Sequence, residues 1–193
     1  MKKLLAICLL PVLTGCLSLT ATNPTVAEWT VNAASLAARA TTPKFGVARL
    51  SQVAVRAPYD VRSLAVMRGD YTLAFDPYNR FAALPSQLLR GPVQDVLSAS
   101  GLFSAVVSPT SVATVTHVVE VTVTNLRLDC SGDSSQGDRR DAEVGVSVLV
   151  LDAKRAIVAS AQGYAVEDAR HGEYMTAFSM ALTMALEKAL GDL

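Results

Sequence analysis

The side chains that could act as nucleophiles, general bases or metal ligands in this sequence are few and scattered. Its 193 residues contain two histidines, His117 and His171, and three cysteines. A catalytic serine would need a histidine beside it and an acid to orient the ring, and no G-x-S-x-G motif is present to expose such a serine. The acid nearest to His171 is Asp168, in the turn-like stretch EDARHGEY, which is typical of a solvated loop histidine. We therefore predict that this protein is not an enzyme.

The same residues do not predict a metal or phosphate site. Zinc ligands come in closely spaced pairs, whereas His117, Cys130 and His171 have no paired spacing. The polar stretch DCSGDSSQGD lacks the order of acids and glycine that defines an EF-hand loop. No glycine-rich loop is present to cradle a nucleotide phosphate, so the chain is not itself an ATPase. We expect neither a cofactor nor a bound metal.

One cysteine does lie in a motif with chemistry of its own. The chain begins MKKLLAICLLPVLTGC, in which two lysines precede a short apolar run and two small residues precede Cys16. A charged start before a short apolar segment is typical of a secretory signal peptide, and the run is too short to span a bilayer. Its end, LTGC, matches the bacterial lipobox, in which diacylglycerol alkylates the cysteine thiolate.

We therefore predict that residues 1–15 are a cleaved signal peptide and that Cys16 becomes a lipidated, palmitate-bearing N-terminus. The alternative is an ordinary cleaved signal followed by a chance cysteine. Two or three acyl chains attach a protein stably to a membrane, whereas one holds it only marginally. Leu17 follows the cysteine in place of the aspartate that commonly retains lipoproteins in the inner membrane. The expected location is the outer membrane, with the protein facing the periplasm.

The remaining thiol and the overall charge exclude further classes of function. Cys130 is the only cysteine left after cleavage and acylation, so it cannot form an internal disulfide. We interpret it as a loop thiol, with pairing to a partner as the alternative. The chain has 17 basic and 17 acidic side chains and no basic stripe, which argues against nucleic-acid binding.

Alternation of apolar and polar residues predicts a sheet after the signal. Such half-buried alternation is typical of antiparallel strands with one covered face. Gly69-Asp70 predicts a tight hairpin turn between two of these strands. A short first strand, WTV (29–31), is also expected. The other predicted strands lie at residues 45–56, 63–69, 71–75, 102–108, 117–129, 142–152 and 156–168.

Two helices are predicted to cover this sheet. PSQLLRGPVQDVLSASG (85–101) has helical spacing, Pro85 suits its first turn, and Gly91-Pro92 predicts a kink or two short helices. A second helix from about Gly172 carries one apolar stripe. The predicted fold is a single α+β domain, with a mainly antiparallel sheet of about five to seven strands and two main helices on one face. The domain is placed at residues 45–193, after a lipidated N-terminus and tether at residues 16–44.

The stretch FDPYNRFAALP (75–85) between a strand and a helix is the candidate contact surface. Tyrosine and arginine are favoured anchors at protein interfaces, and Tyr78, Arg80 and Phe81 lie close together here. We predict these three as partner-binding residues. The alternative is that Tyr78 and Phe81 fasten the helix start to the sheet and that Arg80 covers them.

The sequence resembles the ABC-type transport auxiliary lipoproteins, of the paraquat-inducible protein C kind. The resemblance rests on the lipobox, on WTV and above all on residues 71–107. In that family a tyrosine-containing strand leads into a corner of the form Y-x-x-(aromatic)-A-x-x-P, followed by a helix that ends a-x-G-x-F-x-x-V. The matching residues are Tyr78, Phe81, Ala82, Pro85, Gly101, Phe103 and Val106. Phe81 replaces a common tryptophan, and Gly91-Pro92 interrupts a helix that is usually continuous.

The resemblance implies a non-catalytic accessory of an ABC or mammalian-cell-entry (MCE) lipid transporter. Such a lipoprotein would dock a periplasmic MCE-type protein, and with it the ABC transporter, at the outer membrane. One alternative is a lipid carrier or chaperone that holds an acyl chain between sheet and helices. Several small residues would leave space in the core for such a chain: Ala159, Ala161, Gly163, Ala181 and Ala185. A structural assembly factor of an outer-membrane complex is the other alternative.

Overall fold

The computed structural model describes residues 25–33, 40–69, 71–131, 140–169 and 173–193. Four sequence predictions lie outside these ranges. They are the signal peptide, Cys16, His171 and most of the polar stretch DCSGDSSQGD (129–138).

Within the described residues the chain forms eight strands and three helices. In chain order they are β1 (Ala27–Trp29), β2 (Phe45–Val55), β3 (Ser63–Arg68), β4 (Thr72–Phe81), α1 (Pro85–Leu88), α2 (Arg90–Ala99), β5 (Phe103–Val107), β6 (His117–Asp129), β7 (Asp141–Asp152), β8 (Ile157–Asp168) and α3 (Tyr174–Gly191).

The long strand β6 organises the sheet. One side of it pairs antiparallel with β7, which pairs antiparallel with β8. Its other side is shared, because β2 runs parallel to its first half and β3 runs parallel to its last residues. Two branches therefore leave the same side of β6, one through β2 to β5 and the other through β3 and β4 to β1.

The predicted class, a single α+β domain, is confirmed. The described sheet differs in detail, because it has eight strands rather than five to seven and four of its strand pairings are parallel. Alternation along one strand reports which face is covered and carries no information about the direction of its neighbours. The sheet also takes in β1, and Val31 after it is only 2% exposed, so part of the predicted tether packs with the domain.

The predicted break in the first helix is present but lies slightly earlier. α1 ends at Leu88 and α2 starts at Arg90, with Leu89 between them. Pro92 has no N–H to donate to the Leu88 carbonyl. Because α2 starts at Arg90, Pro92 lies in its first turn, where no backbone donor is needed. Gly101 follows the C-cap with a φ of 73°, as expected of the residue that ends a helix.

The β3–β4 hairpin differs from the predicted two-residue turn. Arg68 pairs with Thr72, so the loop contains the three residues 69–71. Tyr71 adopts the left-handed backbone with a φ of 61° and is 94% exposed. The hairpin therefore carries a large aromatic side chain at its tip.

The core lies between one face of the sheet and the helices. Along α3 the residues Phe178, Leu182, Leu186 and Ala189 are at most 1% exposed, which confirms the predicted apolar stripe. Met180 and Met184 lie on the opposite side and are 43% and 36% exposed. From the sequence, Met175, Met180 and Met184 are expected to fill the core. Met175 does pack against it, whereas the expectation is wrong for Met180 and Met184.

α3 approaches the sheet very closely at Gly163 of β8. A Cβ atom on Gly163 would lie 1.7 Å from the Ala185 carbonyl oxygen and 2.9 Å from the Ala189 nitrogen. The helix backbone thus fills the space that the small residues leave. At this crossing the small side chains serve close packing and provide no room for an acyl chain.

This contact predicts a large effect of one added methyl group. Gly163→Ala is expected to lower the free energy of unfolding by about 1–3 kcal/mol, because α3 must move away from β8. Denaturant titration measures this change. Gly91→Ala is the control, since nothing lies within 4 Å of a Cβ there, and alanine in a helix is favoured by about 0.5–1 kcal/mol. Equal stability of Gly163→Ala and the parent protein would contradict the close contact.

Candidate functional site: a groove beside the β3–β4 hairpin

The stretch around Tyr78 is a large bulge within a strand. β4 continues to Phe81, with Asp76 opposite Leu64 and Arg80 opposite Ser63 on β3. Residues 77–79 therefore have no counterpart on β3. The sequence predicts that this strand ends at residue 75. The pairing with β3 is interrupted after Asp76, but β4 itself continues to Phe81 because β1 pairs with residues 79–81.

The Asp76 carboxylate holds this bulge together. It accepts hydrogen bonds from the backbone N–H of Tyr78 (2.8 Å) and of Asn79 (3.1 Å), and from the Asn79 side chain (2.9 Å). Trp29 Nε1 on β1 donates to Asn79 Oδ1 at 3.2 Å. Partial burial alone would raise the pKa of Asp76, but these hydrogen bonds and the charge of Arg140 outweigh it and lower the pKa below its usual value.

Arg80 forms an ion pair with the neighbouring strand. Glu28 Oε1 on β1 lies 2.5 Å from Arg80 Nη2 and 2.8 Å from Arg62 Nη2. The hydrogen bonds from Arg80 and then Arg62 lower the pKa of Glu28. All three side chains are more than 40% exposed, so the pairs contribute little to stability and mainly align β1 with β4.

The three predicted partner-binding residues do not form one surface. Phe81 is 2% exposed, and its ring packs edge-on against Phe178 with the centroids 6.2 Å apart. Arg80 is engaged with Glu28. Tyr78 is 49% exposed, unlike the buried Phe81.

Tyr78 instead lines a groove of about 640 Å³ between the hairpin and the end of β6. Phe75, which is 44% exposed, lies on the same wall. Arg68 and Arg140 bring two positive charges, and Arg140 donates a hydrogen bond to the Tyr174 hydroxyl. The other lining residues are Val66, Ala74, Asp76, Pro77, Leu128 and Cys130. The groove thus combines apolar walls, two exposed aromatic rings and guanidinium groups.

The role of Phe75 and Arg68 was missed by sequence reasoning. Phe75 fits the alternation of a strand, so the sequence gives no sign that its ring is exposed directly before a bulge. Arg68 is the last residue of β3, and the sequence alone gives no sign that β3 lies beside the end of β6.

A second polar cluster, also unpredicted, lies on the sheet face opposite the helices. Glu143 is 7% exposed and accepts hydrogen bonds from Arg127 Nε (2.7 Å) and Asn125 Nδ2 (3.1 Å). The pKa of Tyr164 is raised to about 12, mainly by partial burial and secondly by its hydrogen bond to Glu143. A signal was present, because Arg127 and Glu143 are direct cross-strand neighbours on β6 and β7. The carboxylate is already paired, so this cluster fixes the register of the strands.

The described residues contain no group of three or more histidine, cysteine or acidic side chains that could hold a metal ion. His117 contacts Thr116 through Nδ1 at 2.8 Å and the Phe45 ring at 5.5 Å between centroids.

No helix in the described part of the chain has the length and apolarity needed to cross a membrane.

Comparison with known proteins informs the fold. No family model and no curated protein matches the sequence. A crystal structure of a Xanthomonas campestris protein assigned to the family model DUF330 superposes with a TM-score of 0.65 at 16% identity, covering 86% of this chain and 96% of that chain. A crystal structure of an uncharacterized protein gives a TM-score of 0.60 at 15% identity, covering 86% of this chain and 95% of that chain.

A PelC dodecamer from Paraburkholderia phytofirmans is also similar at 16% identity, covering 79% of this chain and 93% of that chain. Its TM-score of 0.40 is too low to support an argument. Identities this low show a shared fold and nothing about activity or partners.

The hydrogen bonds at the bulge predict a pH-dependent effect of Asp76→Asn. The folded carboxyl has a lowered pKa, so its stabilisation is present above about pH 4 and is lost as the pH falls through the folded-state pKa. Asp76→Asn should lower the free energy of unfolding by about 1 kcal/mol at neutral pH, with the difference closing in acid. Denaturant titrations at several pH values measure it. Asp95→Asn on the exposed side of α2 controls for the loss of one charge; a difference that stays constant in acid would contradict the assignment.

Proposed function

We propose that this protein is a non-catalytic, lipid-anchored lipoprotein of the outer membrane and an accessory of an ABC/MCE-type lipid transport system. Its domain docks a periplasmic MCE-type partner through the groove beside the β3–β4 hairpin. The observation that supports this most is the pairing of two exposed aromatic rings, Phe75 and Tyr78, with Arg68 around one concave site.

This composition suits protein recognition. Aromatic and arginine side chains supply most of the binding energy at protein interfaces, and they do so where a pocket desolvates them. A groove of about 640 Å³ has room for one or two large side chains of a partner. The Asp76 hydrogen bonds hold the bulge in place before binding, so little conformational entropy is lost when a partner docks.

The proposed docking surface therefore differs by a few residues from the one that the sequence suggests. Tyr78 remains in it. Phe81 leaves it because its ring is in the core, and Arg80 leaves it because its guanidinium aligns β1. Phe75 and Arg68 take their places.

A lipid carrier is the second candidate, and the same groove favours it. Its walls are partly apolar and Arg68 and Arg140 could pair with an acidic headgroup, which is a chemistry suited to an anionic lipid. An acyl chain held between the sheet and α3 has no support at Gly163, where the helix backbone touches the sheet.

Substitution of the two rings tests the docking proposal. Phe75→Ala and Tyr78→Ala are each expected to weaken binding to a co-expressed MCE-type protein by about 2 kcal/mol, or roughly thirtyfold, if they act as interface anchors. Affinity is measured by titration of the purified proteins. Tyr71→Ala is the matched control, because Tyr71 is 94% exposed on the same hairpin and does not line the groove.

The outcome separates the two candidates. Unchanged affinity in both groove variants would place the protein interface elsewhere. Native mass spectrometry of the full-length protein that detects a bound anionic lipid, lost in Arg68→Glu, would favour the lipid carrier.

The lipid anchor is tested separately. With Cys16→Ala placed behind the signal peptide of a soluble secreted protein, the chain is expected to move from the membrane fraction to the soluble periplasm, because the acyl chains are its attachment. Fractionation followed by immunoblotting measures this distribution. A protein that stays in the outer-membrane fraction would contradict lipidation at Cys16.

A further inference from the structure

The outer edge of β8 is open among the described strands. β8 pairs with β7 and with no other described strand. The Ala169 N–H donates to the Arg140 carbonyl on the β7 side, at 2.7 Å. Backbone groups alternate sides along a strand, so those of residues 160, 162, 164 and 166 point outward. The Tyr164 carbonyl confirms this direction, because it accepts a hydrogen bond from Lys188 Nζ at 2.9 Å from outside the sheet.

The side chains of this edge are unusually apolar. Four of them are exposed although they are large and hydrophobic: Ile157 (62%), Val158 (48%), Tyr164 (47%) and Val166 (42%). No charged residue occurs from Ala156 to Val166. Edge strands that remain unpaired usually carry charges, prolines or bulges that prevent another strand from joining. This edge has a bulge near Val158 and one lysine that reaches it from α3.

The two ends of the uncharged run carry opposite charges. Lys154 and Arg155 precede it in the exposed β7–β8 turn, and Glu167 follows it. An antiparallel partner with the same sequence would place the basic end of one strand beside the acidic end of the other. The strand is therefore complementary to itself.

We propose that β8 pairs antiparallel with β8 of a second copy of this chain, with the twofold axis at Ala161. In this register Ser160 lies opposite Gln162 and Val158 lies opposite Tyr164, an aromatic to β-branched pair that stabilises cross-strand contacts. The turn that carries Arg155 then lies at the same end as Glu167 of the other copy. Each of these pairs occurs twice because the interface is isologous. No like charges meet along the uncharged run.

α3 contributes a second strip to the same edge. Lys188 reaches the Tyr164 carbonyl, and Met184 and Met180 lie one and two turns before it on the same side of the helix. Both methionines are exposed. A second copy at the β8 edge covers this strip as well, which accounts for apolar side chains on the outer side of a helix.

This inference does not depend on the proposed function, since it uses neither the groove nor the lipid anchor. A second copy is favoured over a different partner strand because the observed charges and side chains match the strand's own sequence. Lys188 is the group that must move, because it occupies a carbonyl that the joined sheet uses.

The test is the mass of the full-length protein in mild detergent, measured by light scattering with the detergent subtracted. The parent protein is expected to be a dimer. Gln162→Lys places two charges at the dyad and should raise the dissociation constant at least about tenfold. Arg155→Glu and Glu167→Arg should each weaken the dimer, and the double exchange should restore it. Lys188→Ala should strengthen it by freeing the Tyr164 carbonyl.

Cross-linking in membranes tests the register itself. Ser160→Cys combined with Gln162→Cys should form a disulfide-linked dimer on oxidation, because paired residues in an antiparallel sheet have Cα atoms about 5.5 Å apart. The parent chain, which keeps Cys130, and Ser98→Cys on exposed α2 are the controls. A monomeric parent protein, a dimer that Gln162→Lys leaves intact, or capture of the β8 edge by another envelope protein would each overturn the proposal.

Discussion

The close contact between α3 and β8 at Gly163 is the constraint on which the rest of the domain depends. Because this residue has no side chain, the helix backbone lies directly on the strand. That position brings Phe178 to Phe81 at the far end of β4, and it brings Lys188 to the outer edge of β8. One close approach thus links the helix to both sides of a branched sheet.

A helix seated this closely leaves little interior volume at the crossing, and this directs function to the surface. The buried face of the sheet and the apolar stripe of α3 form one continuous core. The features outside this core are the groove beside the hairpin, the Glu143 cluster on the opposite face of the sheet and the β8 edge. Within the described ranges, the groove and the β8 edge each expose several large apolar side chains, and such patches are what a binding partner would cover.

Local signals predicted the parts of the fold that local chemistry decides. The 3.6-residue period of α3 and the missing amide of Pro92 act within one helix turn, so the stripe and the helix break followed from the sequence. The direction and order of the strands did not, because β6 has two neighbours on one side and nothing in its alternation reveals them. The candidate site shares this limitation. Tyr78 was identified by residue type, whereas Phe75 and Arg68 become neighbours of the groove only through the bulge and the β3–β6 pairing.

The two exposed features lie on opposite sides of the sheet order, and this matters for how they would act together. In the described sheet, β6 and β7 separate β8 from the hairpin that carries the groove. A dimer joined at β8 therefore leaves both grooves open and holds them at the two outer ends of one continuous sheet. A partner assembly that presents repeated binding segments would then engage two grooves at once. Binding at the second groove would be intramolecular, which raises the overall affinity although the contacts within each groove are unchanged. Two copies with separate lipid anchors would also stay on the membrane more firmly than one. On this argument, self-association at β8 and docking at the groove reinforce each other without sharing a residue.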